Sequence, residues 1–254
     1  MSEERLAGKV CVITGTGGSM GRVAALQFAK QGGKIVGCDI NVEQDAETTA
    51  LVRAAGGEMT SIAPCDLTRE DDCAALVELA IASYGRIDVL YNNAAMAYFE
   101  PMESIGIDSW SKTIDQELNL AFLLTRAAWP HLSERGGCIV NVGSTCGMLG
   151  YATLPSVAHA AAKGGVIAMT RQMAAEGRHQ GIRVNSISPG LTQTHQTVPL
   201  LAEQRLAEPL LAKIMLGRVA QPEEIIATAL FLASDESSYI TGVNLPVDGG
   251  MTAW

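Results

Sequence analysis

Short apolar runs alternate with longer segments of helical period along almost the whole chain. Strands are predicted at the apolar runs over residues 9–15, 34–40, 59–66, 88–94, 137–144, 182–190 and 243–250. Helices are predicted over about 21–32, 43–55, 69–84, 104–131 and 156–179, and a mostly helical stretch runs to residue 233. Runs this apolar are typical of strands that are buried on both faces.

This alternation predicts an α/β fold with a doubly wound parallel sheet of about seven strands, because parallel strands need crossover connections. No proline-rich, serine-rich or low-complexity stretch divides the 254 residues, so we expect one domain over residues 1–254. The carboxyl ends of parallel strands share one edge of a sheet, where ligands bind. The functional residues are therefore expected to follow the strands.

A glycine-rich turn, TGTGGSMG over residues 14–21, directly follows the first predicted strand and opens the first predicted helix. Glycines let the backbone turn tightly and approach a pyrophosphate, which then lies at the positive end of the helix. This context predicts a dinucleotide-binding Rossmann fold. The turn residues expected at the cofactor are Gly15, Gly18, Ser19, Met20 and Gly21.

Asp39 ends the second predicted strand. A carboxylate at this position accepts hydrogen bonds from both hydroxyls of an adenosine ribose and repels a 2′-phosphate. It therefore favours NAD over NADP. The alternative is that Asp39 only caps the following helix, a position that aspartate also suits.

The net charge of −9 argues against binding to nucleic acid or to an anionic membrane through a basic surface. The N-terminal segment MSEERLAGKV has no apolar signal core, and we expect a cytoplasmic protein. The six cysteines form no CxxC pair and have no zinc-ligand spacing with the four histidines, so no metal site is predicted. The expected partner is a small-molecule substrate.

Two titratable residues stand out in the segment SVAHAAAKGGV, residues 156–166, which otherwise consists mainly of alanine, glycine and valine. His159 and Lys163 are four positions apart, so on a helix the two side chains share a face. Taken alone, such a pair is more often a surface lysine with an incidental histidine. The rest of the chain reverses that preference.

Several motifs in this order resemble the short-chain dehydrogenase/reductase family, and the resemblance covers essentially the whole chain. The motifs are the glycine turn, CDL (65–67), NNAA (92–95), NVGS (141–144), the Lys163 helix, RVNSISPG (183–190) and ITGVNLPVDGG (240–250). The resemblance implies that Asp66 and Leu67 flank the adenine, that Asn92 and Ala94 line the cofactor, and that Lys163 binds its ribose hydroxyls. It also implies contacts at the nicotinamide end from Pro189, Gly190, Leu191, Thr192 and Thr194.

The active site departs from the pattern of that family, which uses Asn, Ser, Tyr and Lys. Ser144 and Lys163 are present, but His159 occupies the Tyr position. Counted from Trp110 and from FLLTR (122–126), the Asn position falls on Glu117. Asn119, two residues away, would serve only if the helix were locally shifted. Tyr151, in the loop after Ser144, is an alternative source of the missing phenol.

The substitution of histidine for tyrosine suits acid–base chemistry. A phenol titrates near pH 10 and needs a neighbouring lysine, whereas an imidazole titrates near 6.5 without help. Lys163 would disfavour the charged imidazole, and Glu117 would favour it. However, the imidazole nitrogen lies roughly 2 Å nearer the backbone than a tyrosine hydroxyl, and about 1 Å of misplacement can cost ~10²-fold in rate.

Three functions remain open on these residues. The first is an NAD(H)-dependent oxidoreductase that interconverts an alcohol and a carbonyl, with Ser144, His159, Lys163 and Glu117 as its catalytic set. The second is a non-redox enzyme on the same scaffold, a lyase, hydrolase or dehalogenase in which His159 is the general base. The third is a cofactor-binding protein without catalysis, against which the retained Ser144 and Lys163 argue.

The segment over about 191–216 is rich in Leu and Met and is expected to form a substrate lid, which suggests a small and mainly apolar substrate. The helices predicted over 104–131 and 156–179 carry long faces of small and apolar residues. Members of the family pair such faces across a two-fold interface. We therefore expect a homotetramer, or at least a homodimer.

Overall fold

Seven strands form one parallel sheet in the computed structural model, which describes residues 4–254. The strands are β1 (Val10–Thr14), β2 (Lys34–Cys38), β3 (Glu58–Ile62), β4 (Val89–Asn92), β5 (Gly137–Val142), β6 (Ile182–Pro189) and β7 (Asn244–Val247). Their order across the sheet is β3-β2-β1-β4-β5-β6-β7. The first three residues of the N-terminal segment, where the sequence predicts no signal core, lie outside the described range.

The helices follow the strands in alternation. They are α1 (Ser19–Lys30), α2 (Val42–Ala54), α3 (Glu70–Tyr84), α4 (Ile107–Ile114), α5 (Leu120–Ser133), α6 (Val157–Glu176), α7 (Val198–Ala202), α8 (Gln204–Leu211) and α9 (Pro222–Ala233). A π-helical turn, Asp115–Asn119, joins α4 to α5, and a 3₁₀ turn, Thr145–Gly147, follows β5. Across residues 4–254, no helix combines the length and the apolar character needed to cross a membrane.

Both faces of the sheet are covered, which explains why all five residues of β1 are buried. Cys11 and Ile13 pack on the face that carries Phe28 of α1 and Ile225 of α9. Val10 and Val12 point to the other face, where residues of α3, α5 and α6 form a second core cluster. The predicted α/β fold, a single doubly wound Rossmann-type sheet of seven parallel strands, is therefore confirmed.

The order of the strands creates the crevice in which the site lies. β1 pairs with β2 on one side and with β4 on the other, so the chain runs outward in both directions from the centre of the sheet. Adjacent loops therefore diverge at the carboxyl ends of β1 and β4, and the gap between them is the usual ligand site of such sheets.

Candidate active site

Ser144 stands just beyond the end of β5, at the start of the 3₁₀ turn. Its Oγ accepts a hydrogen bond of 3.1 Å from the backbone N–H of Cys146, which fixes the side chain at the carboxyl edge of the sheet. Close packing holds this turn against α6, because a Cβ on Gly147 would lie 2.7 Å from the backbone nitrogen of Gly164. The glycines of the Lys163 segment thus allow the two backbones to approach.

The π-helical turn between α4 and α5 brings a carboxylate to the same place. Glu117 lies in this turn and is only 4% exposed, whereas Asn119 faces solvent and donates a hydrogen bond of 2.6 Å to Asp115 Oδ1. The turn also packs tightly on α6, since a Cβ on Gly165 would lie 2.9 Å from Leu118 Cδ2. Wide turns of this kind are frequent at functional sites.

The first two turns of α6 supply the imidazole and the ammonium. His159 Nδ1 lies 2.7 Å from Glu117 Oε2, and His159 Nε2 lies 3.3 Å from Ser144 Oγ. Lys163 Nζ donates to the carbonyl oxygen of Val142 at 3.0 Å and lies 3.7 Å from the other carboxylate oxygen, Glu117 Oε1. The structure therefore brings together all four residues that the sequence selects as the catalytic set.

The imidazole is held in its charged form at neutral pH. Burial lowers the pKa of His159, but hydrogen bonds to Cys146 and Glu117 and the charge of Glu117 outweigh burial and the opposing charge of Lys163, and raise it from 6.5 to about 9. The buried set of Glu117, His159 and Lys163 then carries two positive charges and one negative. A proton donor is thus available beside the Ser144 hydroxyl.

The alternative phenol lies in another environment. The hydroxyl of Tyr151 donates to the sulfur of Met251 at 3.1 Å, and its ring packs in the cluster of Leu210, Ile214 and Met251. The aromatic neighbour of His159 is instead Phe99, whose ring centroid is 5.4 Å from that of the imidazole. Phe99 stands on the loop after β4 and is 46% exposed, so it forms an apolar wall at the mouth of the site.

A groove of about 650 Å³ extends from the glycine turn toward this centre. A Cβ on Gly21 would lie 1.9 Å from the carbonyl oxygen of Gly15, and Gly15 itself has a φ of +72°. Only glycine therefore fits at these two positions, which open the positive end of α1 to the groove. This shape fits the pyrophosphate of a dinucleotide.

Asp39 faces the same groove at the end of β2. Its carboxylate accepts backbone hydrogen bonds of 2.8 Å from Gly17 and 2.8 Å from Asn41. The cap of α2 is Asn41, whose side chain accepts from the backbone of Gln44 at 3.0 Å. The capping role considered for Asp39 thus belongs to Asn41, and the aspartate is presented to the groove.

The sixteen cofactor residues selected from the sequence divide into ten that line the groove and six that do not. Ten of the selected residues line the groove, namely Gly15, Gly18, Ser19, Met20, Gly21, Asp39, Asp66, Leu67, Ala94 and Thr194. Asn92 lies beneath it, with its amide nitrogen donating to Thr125 Oγ1 and Asn141 Oδ1. The remaining selected residues, Lys163 at the acid–base centre and Pro189, Gly190, Leu191 and Thr192 beyond β6, do not line the groove.

Contacts across the groove come from two lid residues, His195 and Gln196, that the sequence analysis did not select. In the predicted lid, the backbone N–H of His195 donates to Ser19 Oγ at 3.2 Å, and Gln196 Nε2 donates to the carbonyl oxygen of Ala95 at 3.1 Å. Asn93, rather than Asn92, lines the groove. These residues lie in loops, where no periodicity marks them.

A parallel sheet with a glycine turn at its carboxyl edge is the architecture of dinucleotide-binding α/β proteins. A family model described as enoyl-(acyl carrier protein) reductase matches residues 15–252. The chain is 38% identical to the 3-oxoacyl-[acyl-carrier-protein] reductase of Thermotoga maritima, over 97% of this chain and 99% of that protein. It is 35% identical to the meso-2,3-butanediol dehydrogenase of Serratia marcescens, over 98% and 96% of the two chains.

Solved structures of similar proteins have the same fold as this chain. A short-chain dehydrogenase/reductase from Burkholderia xenovorans superposes with a TM-score of 0.92 at 35% identity, over 98% of each chain. A short-chain type dehydrogenase/reductase from Mycobacterium marinum gives a TM-score of 0.94 at 30% identity, over 99% of this chain and 98% of that one. The chain belongs to the short-chain dehydrogenase/reductase family, whose oxidoreductases use the nicotinamide cofactors NAD or NADP.

Proposed function

We propose that this protein is an NAD(H)-dependent oxidoreductase that interconverts an alcohol and a carbonyl on a small, mainly apolar substrate, with His159 as the acid–base group. The observation that carries the proposal is the imidazole held between the Ser144 hydroxyl and the Glu117 carboxylate, at 3.3 and 2.7 Å. This arrangement stands at the carboxyl edge of the sheet, in the position where the family has its tyrosine.

Ser144, His159 and Glu117 have separate roles in carbonyl reduction. Ser144 donates a hydrogen bond to the substrate oxygen, and the His159 imidazolium gives that oxygen a proton from Nε2 as the alcohol forms. Glu117 orients the ring through Nδ1 and stabilises its charged form. When bound, the nicotinamide supplies the hydride in reduction and takes it up in oxidation.

Cofactor binding is assigned to the glycine turn, to Asp39 at the adenosine ribose and to Lys163 at the second ribose. Asp66 and Leu67 would flank the adenine, and Thr194 would close the nicotinamide end from the lid. The contacts of residues 195 and 196 across the groove support a lid that rests on the bound cofactor. The exposed Phe99 beside the imidazole and the exposed Met96 in the groove favour an apolar substrate.

Nicotinamide absorbance tests the proposal directly. The purified protein is incubated with NADH and a panel of small aldehydes and ketones, and with NAD and the corresponding alcohols. We expect turnover of at least one carbonyl compound or its corresponding alcohol. The rate of alcohol oxidation should increase with pH as the imidazolium gives up its proton near pH 9. Binding of both cofactor forms without turnover of any pair would contradict the proposal.

We predict that NADP binds at least about tenfold more weakly than NAD, because the Asp39 carboxylate meets the 2′ position of the adenosine ribose. Calorimetric titration with each cofactor measures the ratio. Asp39→Ala should bring the two affinities together, whereas Asp71→Ala, which removes an exposed carboxylate on α3, should leave the ratio unchanged. Equal affinities in the unaltered protein would remove this role from Asp39.

We also predict a homotetramer, or at least a homodimer. Ile107 on α4, Phe122 on α5 and Val157 on α6 are 74%, 44% and 37% exposed. Burying such apolar surface in a second copy would be favourable. Light scattering on a sizing column should give a multiple of the chain mass. Phe122→Glu should reduce the measured mass, whereas Leu51→Glu on α2 should leave it unchanged. A stable monomer at micromolar concentration would contradict this prediction.

A cytoplasmic location is part of the proposal. All six cysteines are free and buried, as expected where thiols stay reduced. Fractionation of the producing cells, with the protein detected by antibody, tests the location.

A further inference from the structure

Three side chains of the site form a hydrogen-bonded series whose order points beyond hydride transfer. Glu117 accepts at Oε2 from His159 Nδ1, and His159 Nε2 faces Ser144 Oγ, at 2.7 and 3.3 Å. Because a carboxylate can only accept, Nδ1 carries the proton. Once the imidazole has lost its second proton, at a pH above about 9, it presents the lone pair of Nε2 to the serine hydroxyl.

The order hydroxyl, imidazole, carboxylate is that of a nucleophile, its general base and the group that orients the base. We propose that Ser144 is a nucleophile and that the protein has a second, cofactor-independent activity, the hydrolysis of small apolar carboxylic esters through an acyl group on Ser144. This activity goes beyond the proposed redox function and needs only the ester and water.

The steps balance without an oxidant or a reductant. Neutral His159 takes the proton of Ser144 as the bond between Oγ and the acyl carbon forms. The bond from that carbon to the alkoxy oxygen then breaks, and the departing alcohol receives the proton from Nε2. In the second half, His159 takes a proton from water as the hydroxyl attacks the acyl carbon. The bond between that carbon and Ser144 Oγ then breaks, Oγ takes the proton back from His159 Nε2, and the carboxylic acid leaves.

The surrounding contacts keep this series intact. Lys163 Nζ is anchored on the carbonyl oxygen of Val142 and lies nearest the other carboxylate oxygen, so it does not compete for the oxygen that holds His159. The Cys146 N–H donates to Ser144 Oγ at 3.1 Å and so holds the hydroxyl oxygen in place. Phe99 supplies an apolar surface beside the imidazole, where the acyl or alkyl group of an ester would lie.

The groups that face His159 also set the expected pH dependence. Glu117, Cys146 and Ser144 contact the ring or lie beside it, and Lys163 acts on it through its charge. Since the base must be neutral, reactivity of Ser144 should rise with pH through about 9.

A serine-directed alkyl fluorophosphonate tests the inference on the full-length protein without cofactor. Mass spectrometry of the peptides should find the phosphonyl adduct on Ser144, with a labelling rate that increases from neutral pH to above 9. His159→Ala and His159→Gln should lower this rate by about 10²-fold or more. Ser111→Ala, which removes an exposed hydroxyl on α4, should leave the rate unchanged.

Calorimetric NADH binding establishes that each variant is folded. Labelling on another residue, no labelling of the unaltered protein, or equal Ser144 labelling with and without His159 would overturn the inference. Hydride transfer is read separately by nicotinamide absorbance. Turnover of alcohols without labelling of Ser144 would support the redox function and contradict the ester activity. Labelling of Ser144 without nicotinamide-linked turnover would support the nucleophilic serine and contradict the redox function.

Discussion

Replacing His159 by alanine should lower kcat for nicotinamide-linked turnover by about 10²–10⁴-fold, because the substrate oxygen loses its proton donor and acceptor. NAD(H) affinity should stay nearly the same, since the imidazole contacts Ser144 and Glu117 rather than the groove at the glycine turn. Steady-state kinetics and calorimetry measure the two quantities on the same sample.

His179→Ala provides the matched control for this prediction. His179 is an exposed histidine just beyond α6, so its loss should leave kcat unchanged. Full activity in His159→Ala would contradict the acid–base role and would make Tyr151 the next residue to test. A loss of cofactor binding together with kcat would show instead that the variant has lost its fold.

His159→Tyr separates redox from non-redox chemistry at this centre. In an oxidoreductase it should keep or increase nicotinamide-linked turnover, because it restores the tetrad of the family except at Glu117. In an enzyme that uses His159 as a base toward water it should abolish turnover, because a phenol is a poor base near neutral pH. The variant is assayed beside the unaltered protein over the same substrate pairs.

The sheet could be predicted because its strands are buried on both faces. β1 buries five consecutive residues, so its apolar run is visible without any knowledge of its neighbours. The ends of strands were less accurate. The run predicted over 59–66 ends as a strand at Ile62, because its partner β2 ends at Cys38, which pairs with Ile62. Apolar residues continue beyond Ile62, but the pairing of β3 with β2 ends there.

The helix predicted over 104–131 is divided in the structure, and this division matters for the site. Helical period runs through the π-helical turn Asp115–Asn119 without a visible break, because one wide turn changes the period too little to read. Counting from neighbouring motifs selected Glu117, while Asn119 remained open. In the structure Glu117 is buried and Asn119 is exposed.

Contacts between loops could not be predicted from pattern at all. Phe99 lies over His159, and Ser19 holds His195, through segments without regular period. The direction of the His159 pKa shift also stayed open, because Lys163 and Glu117 act in opposite senses. The distance to the carboxylate decides the direction of the pKa shift, because Glu117 Oε2 is only 2.7 Å from the ring nitrogen.

Glu117→Gln should change both the pH profile and the stability of the protein. Without the carboxylate, the hydrogen bond and the charge of Glu117 no longer raise the pKa of His159, while burial and Lys163 still lower it. The pH at which the imidazole gives up its proton should therefore fall below about 9. The alkaline rise in alcohol oxidation should move to lower pH by the same amount, which a pH series of kcat measures.

The stability effect follows from the same charges. Removing one partner of a buried ionic group costs about 3–5 kcal/mol at neutral pH, because Lys163 and His159 are left without a counter-charge. In the unaltered protein the raised pKa of His159 contributes stability that is fully present below pH 6.5 and is lost as the pH rises through about 9. For a shift of this size the contribution is about 3 kcal/mol.

Urea unfolding at a series of pH values tests both parts of this expectation. The free energy of unfolding of the unaltered protein should fall from neutral pH to above 9, and Glu117→Gln should be less stable at neutral pH and show a smaller fall. Glu103→Gln removes an exposed carboxylate and should behave like the unaltered protein. The same pH dependence in Glu117→Gln as in the unaltered protein would mean that Glu117 does not hold the proton on His159.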